Sequence, residues 1–308
     1  MNRLVAIVGP TAVGKSQLAL NLAQDLDGEI VNADSRQVYR YMDIGTAKPT
    51  RQEMALVPHH LIDILNPDED FSLAQYQALA YQAISDIHGR GKLPFLVGGS
   101  GLYVWAVLEG WAVPPVAPDP EFRRQLLDKA ARGEAQAIYQ ELAQADPAAA
   151  AKIDPRNIRR VIRALEVSRS TGVPFSRLQR KEPPPFDSLI IGLTVDRAEL
   201  YHRIDARVER MIEPGLVDEV KRLIDMGYGF ELPAMSGIGY RQIGQYLNGE
   251  VALEKAVEQT KFATHRIARH QYAWFRLSDQ RIRWFDMERG PRSKISGLVA
   301  TFRNSSTL

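Results

Sequence analysis

The chain has 308 residues, 45% apolar and 25% charged, with 39 basic against 37 acidic groups and no cysteine. This composition excludes a disordered polyelectrolyte, and the missing thiols exclude disulfide staples, a thiolate nucleophile and a cysteine-ligated zinc site, which suits a reducing cytosol. The first apolar run is too short for a signal-peptide core, and the longest uncharged stretch, residues 93–108, is broken by glycines and a proline and is too short to span a bilayer. A soluble cytoplasmic protein with no membrane partner is expected.

In chain order, Leu4-Val-Ala-Ile-Val8 reads as a buried strand, residues 9–16 as a loop and 17–26 as an amphipathic helix. Residues 29–34 and 93–97 read as further strands, 189–195 as another, and 281–287 as a short last one. Buried strands alternating with helices predict an α/β fold with a parallel sheet covered on both faces. Two proline clusters interrupt the pattern, Pro114, Pro115, Pro118 and Pro120, then Pro183-Pro-Pro185. Between them, residues 121–131, 135–144 and 157–170 read as helices without a convincing strand. A core of residues 1–114 and 186–308 carrying a helical insertion at 115–185 is therefore expected.

Charge is spread unevenly. Residues 1–110 carry 8 Lys/Arg against 12 Asp/Glu, residues 151–183 carry 9 against 3, and residues 260–308 carry 10 against 3. A polyanion responds to patches, so two arginine-rich blocks on a nearly neutral chain suggest a nucleic-acid surface; solvated helix faces are the bland alternative.

Gly9-Pro10-Thr11-Ala12-Val13-Gly14-Lys15-Ser16 fits G-x-x-x-x-G-K-[ST], between a strand and a helix as that motif requires. Its N–H groups and the following helix terminus suit a di- or triphosphate, Lys15 reaches the terminal phosphate, and the Ser16 hydroxyl suits Mg²⁺. Phosphoryl-transfer enzymes with this loop place a metal-supporting acid at a later strand end. Here the strand at 93–97 ends in Gly98-Gly-Ser100-Gly101 without one, and the strand-end carboxylate is Asp34. Asp34 reads equally as a metal or proton ligand and as a helix N-cap. Arg203, Arg207 and Arg210 lie at helical spacing, either to clamp a phosphate or to pair with Asp205 and Glu209. Lys261, His265 and Arg269 fall on one helix face, followed by Tyr272, Trp274 and Phe275, which suit base stacking or core packing.

Taken in order, the loop at 9–16, Asp34-Ser35-Arg36-Gln37-Val-Tyr39, Gly45-Thr-Ala-Lys-Pro49 and Gly98-Gly-Ser-Gly-Leu-Tyr103 resemble the tRNA dimethylallyltransferase family. So do Asp154-Pro-Arg-Asn157 leading into Arg163-Ala-Leu-Glu166, Ile238-Gly239-Tyr240-Arg241, and Arg269-His270-Gln-Tyr-Ala-Trp274-Phe-Arg276. The resemblance runs from Val5 to Arg276 and implies a P-loop NTPase-like core with a tRNA-binding insertion. It implies transfer of the dimethylallyl group of dimethylallyl diphosphate to N6 of the adenine beside the anticodon, with Mg²⁺ assisting. Asp34 is then the general base, and Ser100, threonine in most relatives, helps stabilise the transition state; the diphosphate ligands expected from the residues themselves are the loop with Lys15 and, of the three spaced arginines, Arg207. The anticodon arm would be met by residues 34–37, Ser100, Arg123, Arg159, Arg160, Arg163, residues 239–241, Arg269, His270, Trp274 and Arg276, in a monomer.

Three other readings stand beside this one. A P-loop kinase would not need two arginine-rich blocks, and an adenylate isopentenyltransferase would use a free nucleotide as acceptor. A noncatalytic RNA-binding module leaves the phosphate loop unexplained.

Overall fold

The computed structural model describes residues 2–114, 116–213 and 215–305. Pro115, the expected start of the insertion, lies outside them, as do residues 1 and 308. The chain divides into two compact units, residues 1–108 with 184–308, and Glu109–Pro183.

The first unit opens with β1 (Arg3–Val8), every residue of which is buried. Gly14, with φ +103°, turns the chain directly into α1 (Lys15–Asp25), which has no side-chain N-cap. Its first N–H groups thus face the loop that precedes it. β2 (Gly28–Asn32) follows, then α2 (Arg51–Leu56) and the two-residue β3 (His59–His60). The sequence offers no alternation at β3, because two residues carry no period; pairing to β2 creates it. A Ser72/Gln75 capping box starts α3 (Leu73–Gly89), and β4 (Leu93–Val97) and α4 (Gly101–Leu108) complete the first stretch.

The second unit is helical: α5 (Pro120–Lys129), α6 (Ala135–Ala145), α7 (Pro147–Ala150), α8 (Ile158–Thr171) and α9 (Phe175–Leu178). Leu126, Ile138, Leu142, Ile153, Val161 and Leu165 form its core. Asn157 caps the start of α8 by accepting from the Arg160 N–H, and Gly172 ends it in the left-handed region at φ +67°.

The chain re-enters the first unit at β5 (Asp187–Thr194). It continues through α10 (Arg197–Ile212), α11 (Leu216–Asp225), α12 (Tyr240–Leu247), α13 (Leu253–Trp274), β6 (Ile282–Asp286) and α14 (Arg292–Asn304). Among the described residues the sheet has six parallel strands in the order β3-β2-β4-β1-β5-β6. This is a P-loop NTPase-like architecture. The chain leaves β1 toward β2 on one side and later reaches β5 on the other. The loops after β1 and β4 therefore part at the carboxyl edge, where such sheets bind ligands.

Val5, Ile7, Ile191 and Leu193 pack with Leu18, Leu22, Ile204, Ile295 and Val299 into the main core. A smaller core lies beneath the chain after β2, where Val38, Tyr39 and Met42 meet Leu216, Val220, Leu223, Tyr240 and Ile243. That second core fixes the long segment between β2 and α2, which has little secondary structure of its own.

Candidate active site

The phosphate loop takes its shape from three residues in the positive-φ region, Gly9 at +140°, Ala12 at +63° and Gly14 at +103°. Gly9 also has no room for a side chain, since a Cβ there would lie 2.5 Å from the Leu193 carbonyl oxygen. Left-handed geometry at Ala12 costs roughly 1–2 kcal/mol.

Lys15 Nζ donates to the Pro10 carbonyl at 2.7 Å, folding back over its own loop. Burial lowers its pKa to about 8, against the opposing pull of Asp34, while Arg207 lowers it further. Arg207, from α10, points into the same loop, with Nη1 3.4 Å from Thr11 Oγ1. Its own pKa is lowered chiefly by burial. Two desolvated cations beside one loop are a high-energy arrangement that an anion relieves. The spacing of Arg203, Arg207 and Arg210 left the clamp open, and the tertiary structure separates them. Arg203 pairs with Glu199 and Arg210 donates to the Ala206 carbonyl, so Arg207 alone of the three enters the loop.

No helix follows Asp34, which removes the N-cap reading. Its Oδ1 accepts from the Arg36 N–H at 2.9 Å, and its Oδ2 has no hydrogen-bond partner among the described residues. Asn32 braces the turn, accepting from the Asp34 N–H at 3.0 Å and donating to the Asp34 and Leu61 carbonyls. From the loop after β4, Ser100 Oγ accepts from the Ser35 N–H at 3.0 Å and donates to Ser35 Oγ at 3.3 Å. Tyr76 and Tyr103 stack at 3.8 Å near Asp34 and Phe71 meets both edge-on, walls that no sequence motif singled out except through Tyr103.

Gln271 joins the two loops, a role its place in the 269–276 motif did not disclose. Its Oε1 accepts from the Thr11 N–H at 2.8 Å and its Nε2 donates to the Gly99 carbonyl at 3.1 Å. A Cβ at residue 99 would lie 2.1 Å from that Nε2, so glycine is required for the bridge.

The other expected site residues fall into different surroundings. Arg36 donates to the Pro233 carbonyl at 2.9 Å, and its Cδ lies beside Gly237, so the 237–241 turn is next to the Asp34 segment. Gly239 adopts φ +90° there and Arg241 is exposed. Tyr240 requires a correction as a tRNA contact: it is 1% exposed, and its hydroxyl donates to Glu219 at 2.6 Å. The face bearing Lys261, His265 and Arg269 turns toward α10. Lys261 pairs with Glu209, and Arg269 donates to the Tyr201 hydroxyl at 2.9 Å. His265 stacks on Tyr201 and lies 2.8 Å from Asp205, in a geometry that is not a hydrogen bond. Phe275 is fully buried and Tyr272 packs against the main core, whereas Trp274 remains 41% exposed over Gly101. His270 and Arg276 are exposed.

In the helical unit, Arg123 and Arg163 both bind the buried Glu166, at 2.7 and 2.6 Å. These bonds and the Asp119 N–H hold its carboxyl below the usual range despite burial, which acts the other way. Arg159 and Arg160 are exposed, with no ion-pair partner among the described residues.

A family model for IPP transferases matches residues 37–278, and one for isopentenyl transferases matches residues 2–63. The chain belongs to the IPP transferase family. A tRNA dimethylallyltransferase of Dehalococcoides mccartyi is 54% identical over 97% of this chain and 92% of its own length. One from a Roseiflexus species is 59% identical over 89% and 90%. Among solved structures, a Bacillus halodurans tRNA isopentenylpyrophosphate transferase matches with TM-score 0.73 and 44% identity, covering 98% of this chain and 97% of that one. A eukaryotic dimethylallyltransferase acting on tRNA matches with TM-score 0.82 and 29% identity, covering 98% and 79%. Within an IPP transferase, a phosphate loop without a strand-end acid on β4 has a chemical explanation: it need never transfer phosphate.

Proposed function

We propose that this IPP transferase moves a dimethylallyl group from dimethylallyl diphosphate to N6 of the adenosine beside a tRNA anticodon. The C1–O bond to diphosphate breaks, the C1–N6 bond forms, the N6 proton goes to Asp34, and diphosphate leaves. One observation carries this reading: Lys15 and Arg207 converge on the loop at 9–16, while Asp34 keeps a free carboxylate oxygen close enough for its charge to act on both. The cations and loop N–H groups stabilise the departing charge, and Asp34 assists a weakly basic amine as its proton is lost. A kinase would want an acid where β4 ends, and residues 98–101 offer only glycines and Ser100.

Mg²⁺ fits the residues present as a cation that arrives with its phosphate ligands. The exposed Ser16 hydroxyl makes no hydrogen bond to another described residue, and no cluster of three His, Asp or Glu groups that could hold a metal exists among the described residues. When bound, it would neutralise diphosphate charge through Ser16. Outward-facing Arg159, Arg160, His270, Trp274 and Arg276 suit the anticodon arm, by phosphate contact and base stacking. Arg36, Gln37, Arg241 and Ser100 border the place of the extruded adenine. No helix among the described residues is long and apolar enough to cross a membrane. We assign the activity to the cytoplasm, where tRNA is processed, and to a single chain, because every group invoked comes from one.

The test is incubation with labelled dimethylallyl diphosphate, Mg²⁺ and unmodified tRNA, beside AMP and ATP. Label should enter tRNA alone. Labelled AMP would favour the free-nucleotide enzyme, and ATP hydrolysis without prenylation would end the proposal.

A further inference from the structure

Glu219 belongs to none of the motifs that point to the reaction, yet its buried carboxylate accepts four hydrogen bonds. It lies on α11 and is 2% exposed. Its Oε2 accepts from the Asp43 and Ile44 N–H groups at 3.0 and 2.8 Å, and its Oε1 accepts from the Gly45 N–H at 3.1 Å and the Tyr240 hydroxyl at 2.6 Å. Three successive backbone N–H groups close around this carboxylate as such concave turns close around an anion. Residue 45 must be glycine for this, because a Cβ would meet the Tyr240 ring at 2.5 Å. Burial and the neighbouring Glu219 charge push the Tyr240 phenol far up, so it stays a donor.

The anchored segment in turn holds the acceptor side of the site. Gln37 Nε2 donates to the Thr46 and Ala47 carbonyls, both at 3.1 Å. Lys48, whose side chain is 3% exposed, donates to the Tyr39 carbonyl at 2.6 Å and pairs with Asp43 and Asp63. Gln37 and Tyr39 thus hang from residues 46–48, a few positions beyond Asp34. The phosphate loop makes no hydrogen bond to this network among those described.

We infer that Glu219, with Tyr240, is a positioning residue for the Asp34–Tyr39 segment, and so for the acceptor nucleobase and not for the diphosphate. The kinetic part of this inference rests on the transfer reading above; the structural part does not. Glu219→Gln keeps the size but offers an NH₂ group to N–H donors, and Tyr240→Phe keeps the ring under Gly45 and removes one donor of four.

Hydrogen exchange in the substrate-free protein should rise about tenfold at residues 36–39 as well as 43–45 in Glu219→Gln, with residues 9–16 unchanged. Turnover with tRNA should fall about tenfold in kcat, while affinity for inorganic diphosphate stays within about twofold. Tyr240→Phe should show the same pattern at smaller size and supplies the answer if the first variant does not fold. Ile295→Val, in the main core, serves as the control for general destabilisation. Faster exchange confined to 43–45, equal losses of diphosphate affinity and turnover, or the same kinetic loss in a destabilisation-matched control would overturn the assignment. Should the wild-type protein prenylate nothing, the functional reading fails, and the exchange pattern still decides whether Glu219 braces Asp34–Tyr39.

Discussion

Two residues set the chemistry and each makes its own prediction. Asp34→Asn keeps an Oδ1 acceptor for the Arg36 N–H, so the turn survives and only proton acceptance is lost. Turnover should fall by roughly 10²–10⁴, with KM for tRNA little changed in steady-state assays. A large rise in tRNA KM would contradict the role of base. Lys15, held to about pKa 8 mainly by burial, is charged below that value and neutral above it. The ratio of wild-type to Lys15→Arg diphosphate affinity, measured calorimetrically, should be flat below about pH 8 and fall above it, because guanidinium does not titrate there and the titration of diphosphate itself cancels in the ratio. For folding without ligand the sign is opposite. The charged form is penalised below about pH 8, and that penalty is relieved as the pH rises toward the ordinary lysine range.

Helices deliver groups that no loop motif contains. α13 carries Gln271 to both the phosphate loop and Gly99. Replacing it by Leu leaves the Thr11 N–H and the Gly99 carbonyl unpaired in a partly buried place. Diphosphate affinity should drop roughly tenfold, the loss expected for a pair of hydrogen bonds, with overall stability changed far less. In the helical unit, α8 presents Glu166 inward to Arg123 and Arg163 while Arg159 and Arg160 point outward. Glu166→Ala strands two guanidinium groups and should destabilise that unit by about 3 kcal/mol in denaturant titrations, discounted from the value for a fully buried pair because both arginines are partly solvated.

At the scale of the whole molecule, charge placement matters more than the net charge of +2. Single replacements of Arg159 or Arg160 by Ala should weaken tRNA binding and lower the slope of log K against log salt by about one for each phosphate that the arginine neutralised. The same change at Arg123 or Arg163 acts through Glu166, so part of its effect should appear as lost stability. Comparing salt slopes with unfolding midpoints separates the two kinds of arginine. Equal slopes for all four would show that ion pairing with Glu166 does not withhold an arginine from RNA.

The sequence alone determined the elements whose information is contiguous. Strand, phosphate loop and helix at 3–25 are specified by apolar runs, by glycines at positive φ and by a lysine and serine one turn on, all within local reach. The helices of the inserted unit were legible for the same reason, as apolar periodicity between prolines. What the tertiary structure decided is which face of each helix is covered and which partner each polar group finds. Tyr240 and Arg163 lie in motifs that suggest RNA contact, yet packing against Glu219 and Glu166 claims their polar atoms. Arg207 and Gln271 meet the phosphate loop from 196 and 260 residues away. No local pattern encodes such a meeting, because a side chain's partners follow from how the sheet order brings distant elements to one edge.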